Sequence, residues 1–295
     1  MKFGVSIPNN QGVQHVGELV ELAVHAETVG FESVWVSEHL FHSTYVAKRL
    51  GSRPYHDPLT VLTAIACATS RVRLGTSVLV LPWHHPARLA KTIASLDDLS
   101  QGRVDLGIGV AVTEDEFANL GVPFNTRGRQ TDDALEAMLA LWTQDIPEHS
   151  GEFYRFSGLR AEPKPVQLPL PIHVGGNTLA ALKRVVRFGQ GWHGLSQSPR
   201  SVEQRLAEIH DLCAAEGRNP EELFISVRTS VQIMTTPWDR PVRERNNMKG
   251  TEAELLSMVR EFEDVGVHKL VIDPATADLK QYHQSLDILA RMFLN

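Results

Sequence analysis

Apolar positions along this chain follow two alternating rhythms. Short runs rich in Val, Ile and Leu are bounded by Gly, Pro, Asn or Ser, and between them apolar residues return every third or fourth position. These are the patterns of buried strands and amphipathic helices. The first run, Lys2–Ile7, stops at Pro8-Asn9-Asn10. Val16–Val29 follows with Leu19, Val20, Leu22, Ala23, Ala26 and Val29 at helical spacing and Gly30 as its C′ residue. Ser33–Ser37 predicts a second strand running into Glu38-His39. An irregular, His-rich segment reaches Asp57, and Pro58–Thr69 predicts a helix with Pro in its first turn. The third run, Val72–Pro86, ends in a Pro-Trp-His-His-Pro cluster, with Pro86–Leu99 as the helix behind it.

Beyond the turn at Gly102-Arg103, Val104–Gly109 predicts a fourth strand and Thr126–Trp142 a helix. Residues 147–171 carry five prolines around a short Phe153–Phe156 segment, an insertion in the form of a hairpin. Four more pairs follow. Pro171–Val174 precedes Leu179–Phe188, and Trp192–Leu195 precedes Val202–Glu216. Leu223–Ile233 precedes Glu252–Val265 across a polar loop at 238–250, and His268–Ile272 precedes Leu279–Phe293. Eight strands, each followed by a helix, predict a (β/α)8 TIM barrel with a short insertion between strands four and five. The alternative, a doubly wound open sheet, needs an edge and a switch point, and the pattern has no break after the sixth strand. No Gly/Ser- or Pro-rich linker divides the chain, so residues 1–295 are expected to form one domain.

Composition narrows the function. Hydrophobic residues make up 42% and charged residues 22% of the 295, the balance of a globular protein. The net charge of −6 and the lack of a Lys/Arg cluster argue against nucleic acid. No apolar run is long enough to span a membrane, and the amino terminus enters a strand without signal-peptide architecture, so a cytoplasmic protein is expected. Cys67 and Cys213 lie far apart within apolar helical patterns and are expected to be buried, reduced thiols.

In a βα-repeating protein chemistry gathers beyond the carboxyl ends of the strands. Asn9 and Asn10 fall there after strand one, Glu38 and His39 after strand two, Trp83, His84 and His85 after strand three, and Gly109 to Glu116 after strand four. Gly175-Gly176-Asn177-Thr178 follows strand five. Its glycines permit a tight turn and close backbone approach, Asn177 or Thr178 can cap the next helix, and the helix terminus favours an anion such as phosphate. An ordinary capped turn is the structural alternative. An imidazole at His39 can act as general acid or base near neutral pH; the alternative is a loop His bonded to a backbone carbonyl. His39, His42, His84 and His85 lack metal-ligand spacing, so no metal is expected. GxSxG, Walker and GxGxxG patterns are absent. Trp35, Trp142 and Met138 are expected in the core.

Several segments carry a resemblance: Gly30-Phe31-Glu32-Ser33-Val34-Trp35 leading to Glu38-His39, Arg73-Leu74-Gly75-Thr76-Ser77-Val78, and His85-Pro86-Ala87. Leu96-Asp97, Gly102-Arg103, Leu106-Gly107-Ile108-Gly109 and Pro171-Ile172-His173-Val174-Gly175-Gly176-Asn177 continue it. In order from residue 1 to about 290, the chain resembles the bacterial luciferase-like superfamily and, within it, the coenzyme F420-dependent (deazaflavin) oxidoreductases. The resemblance implies a TIM-type barrel, usually homodimeric, with a deazaflavin or, alternatively, FMN at the carboxyl ends of the strands. It implies a bulge in the third strand with a non-prolyl cis peptide at Ser77–Val78 backing the cofactor, and a cofactor phosphate at Gly175–Thr178. The cofactor-binding set is thus expected to be Glu38, Thr76, Ser77, Val78, Gly109, Gly175, Gly176, Asn177 and Thr178. His39 is the expected catalytic acid/base, oriented by Glu38 or a neighbouring loop group, and Asn9, His42, Trp83 and His84 are expected to line the substrate pocket.

Two positions depart from the family's sugar-phosphate dehydrogenases. Ser43 stands where they carry Trp, and Gly109-Val110-Ala111 is followed by Val112 where they carry a Glu after the GxG. These departures favour a reductase acting on an activated C=C, C=N or C=O bond of a small molecule. An FMN-dependent, oxygen-using monooxygenase and a barrel that binds the cofactor without turnover are the competing readings.

Overall fold

The computed structural model describes residues 1–294. Twelve strands are present among them: β1 (Lys2–Ser6), β2 (Ser33–Val36), β3 (Arg73–Thr76), β4 (Leu79–Val80), β5 (Val104–Gly109), β6 (His149–Ser150), β7 (Arg155–Phe156), β8 (Ile172–Gly175), β9 (Gly191–Leu195), β10 (Phe224–Ile233), β11 (Met248–Gly250) and β12 (Lys269–Asp273). The helices are α1 (Val16–Val29), α2 (Thr44–Leu50), α3 (Pro58–Ala68), α4 (Pro86–Leu99), α5 (Glu114–Leu120), α6 (Arg127–Thr143), α7 (Leu179–Phe188), α8 (Pro199–Glu216), α9 (Glu252–Asp264) and α10 (Leu279–Phe293). Parallel pairing runs β1-β2-β3-β5-β8-β9-β10-β12 and returns from β12 to β1, so the ring closes as an eight-stranded barrel. The expected open-sheet alternative is excluded, since no strand of the ring is an edge. The insertion carries the antiparallel hairpin β6/β7, whose second strand falls within the Phe153–Phe156 segment.

The strands owe this arrangement to a period of two. Val34, Leu74, Leu106, Ile108, Ile172, Val174, Val227, Leu270 and Ile272 point outward to the helices and are fully buried. Each such Leu or Ile contributes roughly 1.5–3 kcal/mol by leaving water. The alternate positions face the lumen and are mostly small, polar or charged. Trp35 fills its middle, stacked on His193 at 4.9 Å between ring centres. Gly75 makes room for the indole, since a Cβ there would lie 2.2 Å from the Trp35 ring.

The third run breaks at the bulge that the resemblance implies: from Gly75 to Leu79 it takes four steps while β5 takes three, from Asp105 to Ile108, so one extra residue bulges out at Ser77–Val78 between β3 and β4. Two sequence expectations are corrected. The segment after β2 contains helix α2, and α5 lies beyond β5; neither is evident from apolar spacing because both are short and mostly exposed. Cys67 is exposed, whereas Cys213 is buried as expected. No helix among the described residues is long and apolar enough to cross a membrane.

Candidate active site

His39 leaves the end of β2 half-buried at the barrel mouth. Its Nδ1 lies 2.6 Å from Glu116 Oε2, and no protein group among the described residues bonds to its Nε2. Glu116 is itself buried on α5. Its Oε2 also accepts from Thr113 Oγ1 at 2.8 Å, and its Oε1 accepts from the backbone N–H groups of Leu40 at 3.1 Å and Phe41 at 3.3 Å. Burial alone would raise this carboxyl, but the bonds from His39, Thr113 and Phe41 outweigh it and hold it below the usual carboxylate range. The next residue on α5, Phe117, packs edge-on against Trp83 at 5.7 Å, and Trp83, Tyr55 and Tyr45 surround the His39 ring at 5.5–6.4 Å. One short helix therefore grips both the imidazole and the aromatic wall beside it.

Glu38 does not orient His39. Its Oε2 accepts from the Val80 N–H at 2.6 Å and its Oε1 pairs with His84 Nε2 at 2.8 Å, tying the end of β2 to β4 and the turn beyond. Burial lowers the His84 pKa, but the bond to Glu38, its charge and that of Asp57 reverse this and raise it. Asn9 is fully buried and acts as a strut, donating to Ser37 O and His56 O and accepting from Ser37 N. His42 is exposed and bonds Arg53 O at 2.8 Å, and His85 packs on the Tyr154 ring. The four histidines of the loops thus face four different partners. Ser43 is buried at the start of α2 with its hydroxyl unpartnered.

The bulge lies next to His39 on the neighbouring strand, and its Ser77–Val78 peptide is cis. The Ser77 N–H bonds Val36 O, its hydroxyl meets His193 Nε2 at 2.8 Å, and its carbonyl accepts from Arg228 Nη1 at 3.2 Å. Thr76 Oγ1 donates to Gly107 O, bridging the place where ladder pairing lapses. Val78 is half-buried against two glycines: a Cβ on Gly109 would lie 2.7 Å, and one on Gly175 3.1 Å, from its methyls. Gly109 and Gly175 therefore serve first to admit Val78. Beyond them Gly176 takes φ +110°, a conformation that favours glycine. Gly176, Asn177 and Thr178 are exposed, and the Thr178 hydroxyl caps α7 by accepting from Ala181 N.

Sequence reasoning placed Glu116 within a loop of candidates but gave it no role. A signal was available: Thr113-Glu114-Asp115-Glu116 spells the Ser/Thr-x-x-Glu start of a helix, and Gly121 stops it in the left-handed conformation. Glu116 is drawn instead to His39. His193 and Arg228 beneath the bulge were also missed; they are alternate lumen-facing residues hidden in strands that read as apolar.

Residues 1–241 match the luciferase-like monooxygenases, and the chain belongs to that family. It is 29% identical over 246 residues to the FMNH(2)-dependent dimethylsulfone monooxygenase of Pseudomonas putida, covering 78% of this chain and 65% of that protein. It is 33% identical over 179 residues to the F420-dependent glucose-6-phosphate dehydrogenase of Amycolatopsis mediterranei, covering 59% of this chain and 52% of that protein. Among solved structures, monooxygenase RslO1 from Streptomyces bottropensis is similar with a TM-score of 0.85 and 26% identity, over 100% of this chain and 99% of that one.

Proposed function

We propose that the chain is a coenzyme F420-dependent oxidoreductase that works as a reductase on a small molecule bearing an activated C=C, C=N or C=O bond. The observation that carries this reading is His39, half-buried at the barrel mouth with one ring nitrogen committed to Glu116, beside the bulge that leaves Val78 between two glycines. The residues present fit a planar cofactor with an anionic tail. Thr76, Ser77 and Val78 would back the ring system, and the exposed turn Gly175–Thr178 at the start of α7 offers backbone N–H groups to a phosphate. When bound, the deazaflavin supplies the carbon that gives or takes a hydride. His39 moves the accompanying proton, with Tyr55 and Trp83 packed beside its ring. Ser43 and Val112, at positions where sugar-phosphate dehydrogenases carry Trp and Glu, support reduction over alcohol oxidation. The resemblance also supports a homodimer of one-domain subunits.

A second reading, an FMN-dependent monooxygenase, is supported by the similarity to the Pseudomonas putida protein and to RslO1 along most of the chain. Parallel titrations with F420 and with FMN, followed by turnover with and without oxygen, separate the two. F420 binding at micromolar concentration with oxygen-independent turnover is expected. Binding of FMN alone with a strict need for oxygen overturns the first reading in favour of the second.

A further inference from the structure

The Glu116 carboxylate sits amid donors. The Thr113 hydroxyl and the Leu40 and Phe41 N–H groups all give hydrogen bonds to it, and an ionised carboxylate can only accept. The fourth contact, 2.6 Å to His39 Nδ1, is therefore donated by the imidazole. We propose that Glu116 is a positioning residue that fixes His39 in its Nδ1–H form, so that Nε2 is the nitrogen that exchanges a proton with substrate. This rests on the reading of His39 as the acid/base.

The geometry makes the assignment one-sided. A neutral imidazole has one N–H, and placing it on Nε2 would set the Nδ1 lone pair against a carboxylate oxygen at 2.6 Å. Glu116 is almost wholly buried, so water does not stand between the two. Because the carboxylate is held by the backbone N–H groups of Leu40 and Phe41 and by Thr113 at the start of α5, it fixes the plane of the ring as well as its tautomer. In reduction the bound deazaflavin would supply the hydride to the substrate carbon. The adjacent atom takes the Nε2 proton of the imidazolium, and His39 is left neutral with its proton on Nδ1. A solvent proton then restores Nε2–H, and Glu116 remains a carboxylate throughout.

The test uses Glu116→Gln. Its carbonyl can keep accepting from Leu40 and Phe41, while its amide N–H2 is presented to His39 Nδ1, where only an acceptor suits, so the ring should change to the Nε2–H form. In protein labelled with 15N-histidine, the His39 signals are identified by their loss in His39→Asn. Read at a pH where the imidazole is neutral and carries a single N–H, the wild type and Glu116→Asp are expected to show Nδ1–H, and Glu116→Gln to show Nε2–H. Nε2–H in the wild type, or Nδ1–H retained in Glu116→Gln, overturns the proposal. If Glu116→Gln does not fold, the wild-type spectrum alone decides. With cyclohex-2-enone as probe and reduced F420, Glu116→Gln is expected to lose about a hundredfold or more in kcat with F420 affinity within about twofold. Unchanged kcat in Glu116→Gln alongside a crippled His39→Asn overturns the role of Glu116. Unchanged kcat in His39→Asn overturns instead the reading of His39 on which it rests. If the enone is not turned over, the spectra decide.

Discussion

At the amino-terminal end of the barrel lumen lie Arg73, Asp105, Lys269 and Glu32; at the carboxyl end lie His39 with Glu116 and His84 with Glu38. Both ends are built from buried acids and their basic partners, yet their bonding differs. Asp105 receives Arg73 at 2.6 Å and Lys269 at 3.1 Å, and Lys269 reaches Glu32 at 2.8 Å, so its charge is answered on two sides. Burial pushes the Asp105 carboxyl up, but Lys269, His173 and Arg73 together bring it well below the usual range. At the other end each acid pairs with one imidazole, Glu38 also accepting from one backbone N–H and Glu116 from two and the Thr113 hydroxyl, and each imidazole is about a fifth exposed. The first arrangement is a closed knot that holds strands together. The second holds each ring by one nitrogen and leaves the other without a protein partner among the described residues.

The comparison can be broken most forcefully at the closed end. Asp105→Ala leaves Arg73 without its carboxylate and Lys269 with Glu32 alone, and a loss of about 3–5 kcal/mol in denaturant unfolding is expected, with activity per folded molecule retained. A loss below about 1 kcal/mol would mean that the knot is not structural. At the open end the effects should reverse. His39→Asn is expected to lower turnover about a hundredfold or more, equivalent to about 2.7 kcal/mol of barrier, with an unchanged melting temperature. A variant that unfolds instead would place His39 in the same class as Asp105. Between the two ends, Gly75→Ala drives a methyl into the Trp35 ring and should destabilise by about 1–3 kcal/mol. An unaltered unfolding midpoint would show that the indole can move aside.

The smallest effect expected is a pH dependence at the open end. His84 has a raised folded-state pKa, because Glu38 and Asp57 more than offset its burial. Its contribution is therefore complete below the ordinary value of 6.5 and is lost as pH rises through the higher folded value. Compared at pH 5.5 and pH 8.5, the stability gap between the wild type and His84→Gln should narrow at the higher pH. A constant gap would show that the Glu38–His84 pair does not titrate.

Much of the barrel is visible in the linear pattern because its helices are amphipathic and long. Val16–Val29, Pro86–Leu99, Leu179–Phe188 and Leu279–Phe293 keep the boundaries that apolar spacing and caps predict. The period of two inside the strands was obscured by the same outward valines, leucines and isoleucines that make them recognisable. Ser77, His193 and Arg228 alternate with them and meet only when the ring closes. Helix α5 escaped because seven residues with Phe117 and Leu120 as their bulky apolar members offer no amphipathic period.

The sequence by itself determined the ring of eight βα units and singled out His39 as a candidate, since the first follows from local periodicity and the second from chemistry carried by a single side chain. Only the tertiary structure decided the partners. Glu38, adjacent to His39 in the chain, turns to Val80 and His84, while Glu116, 77 positions away, meets the imidazole. The physical reason is the alternation of side chains at the end of β2 together with burial. Adjacent residues there leave in different directions, and a buried carboxylate must find donors wherever the fold supplies them.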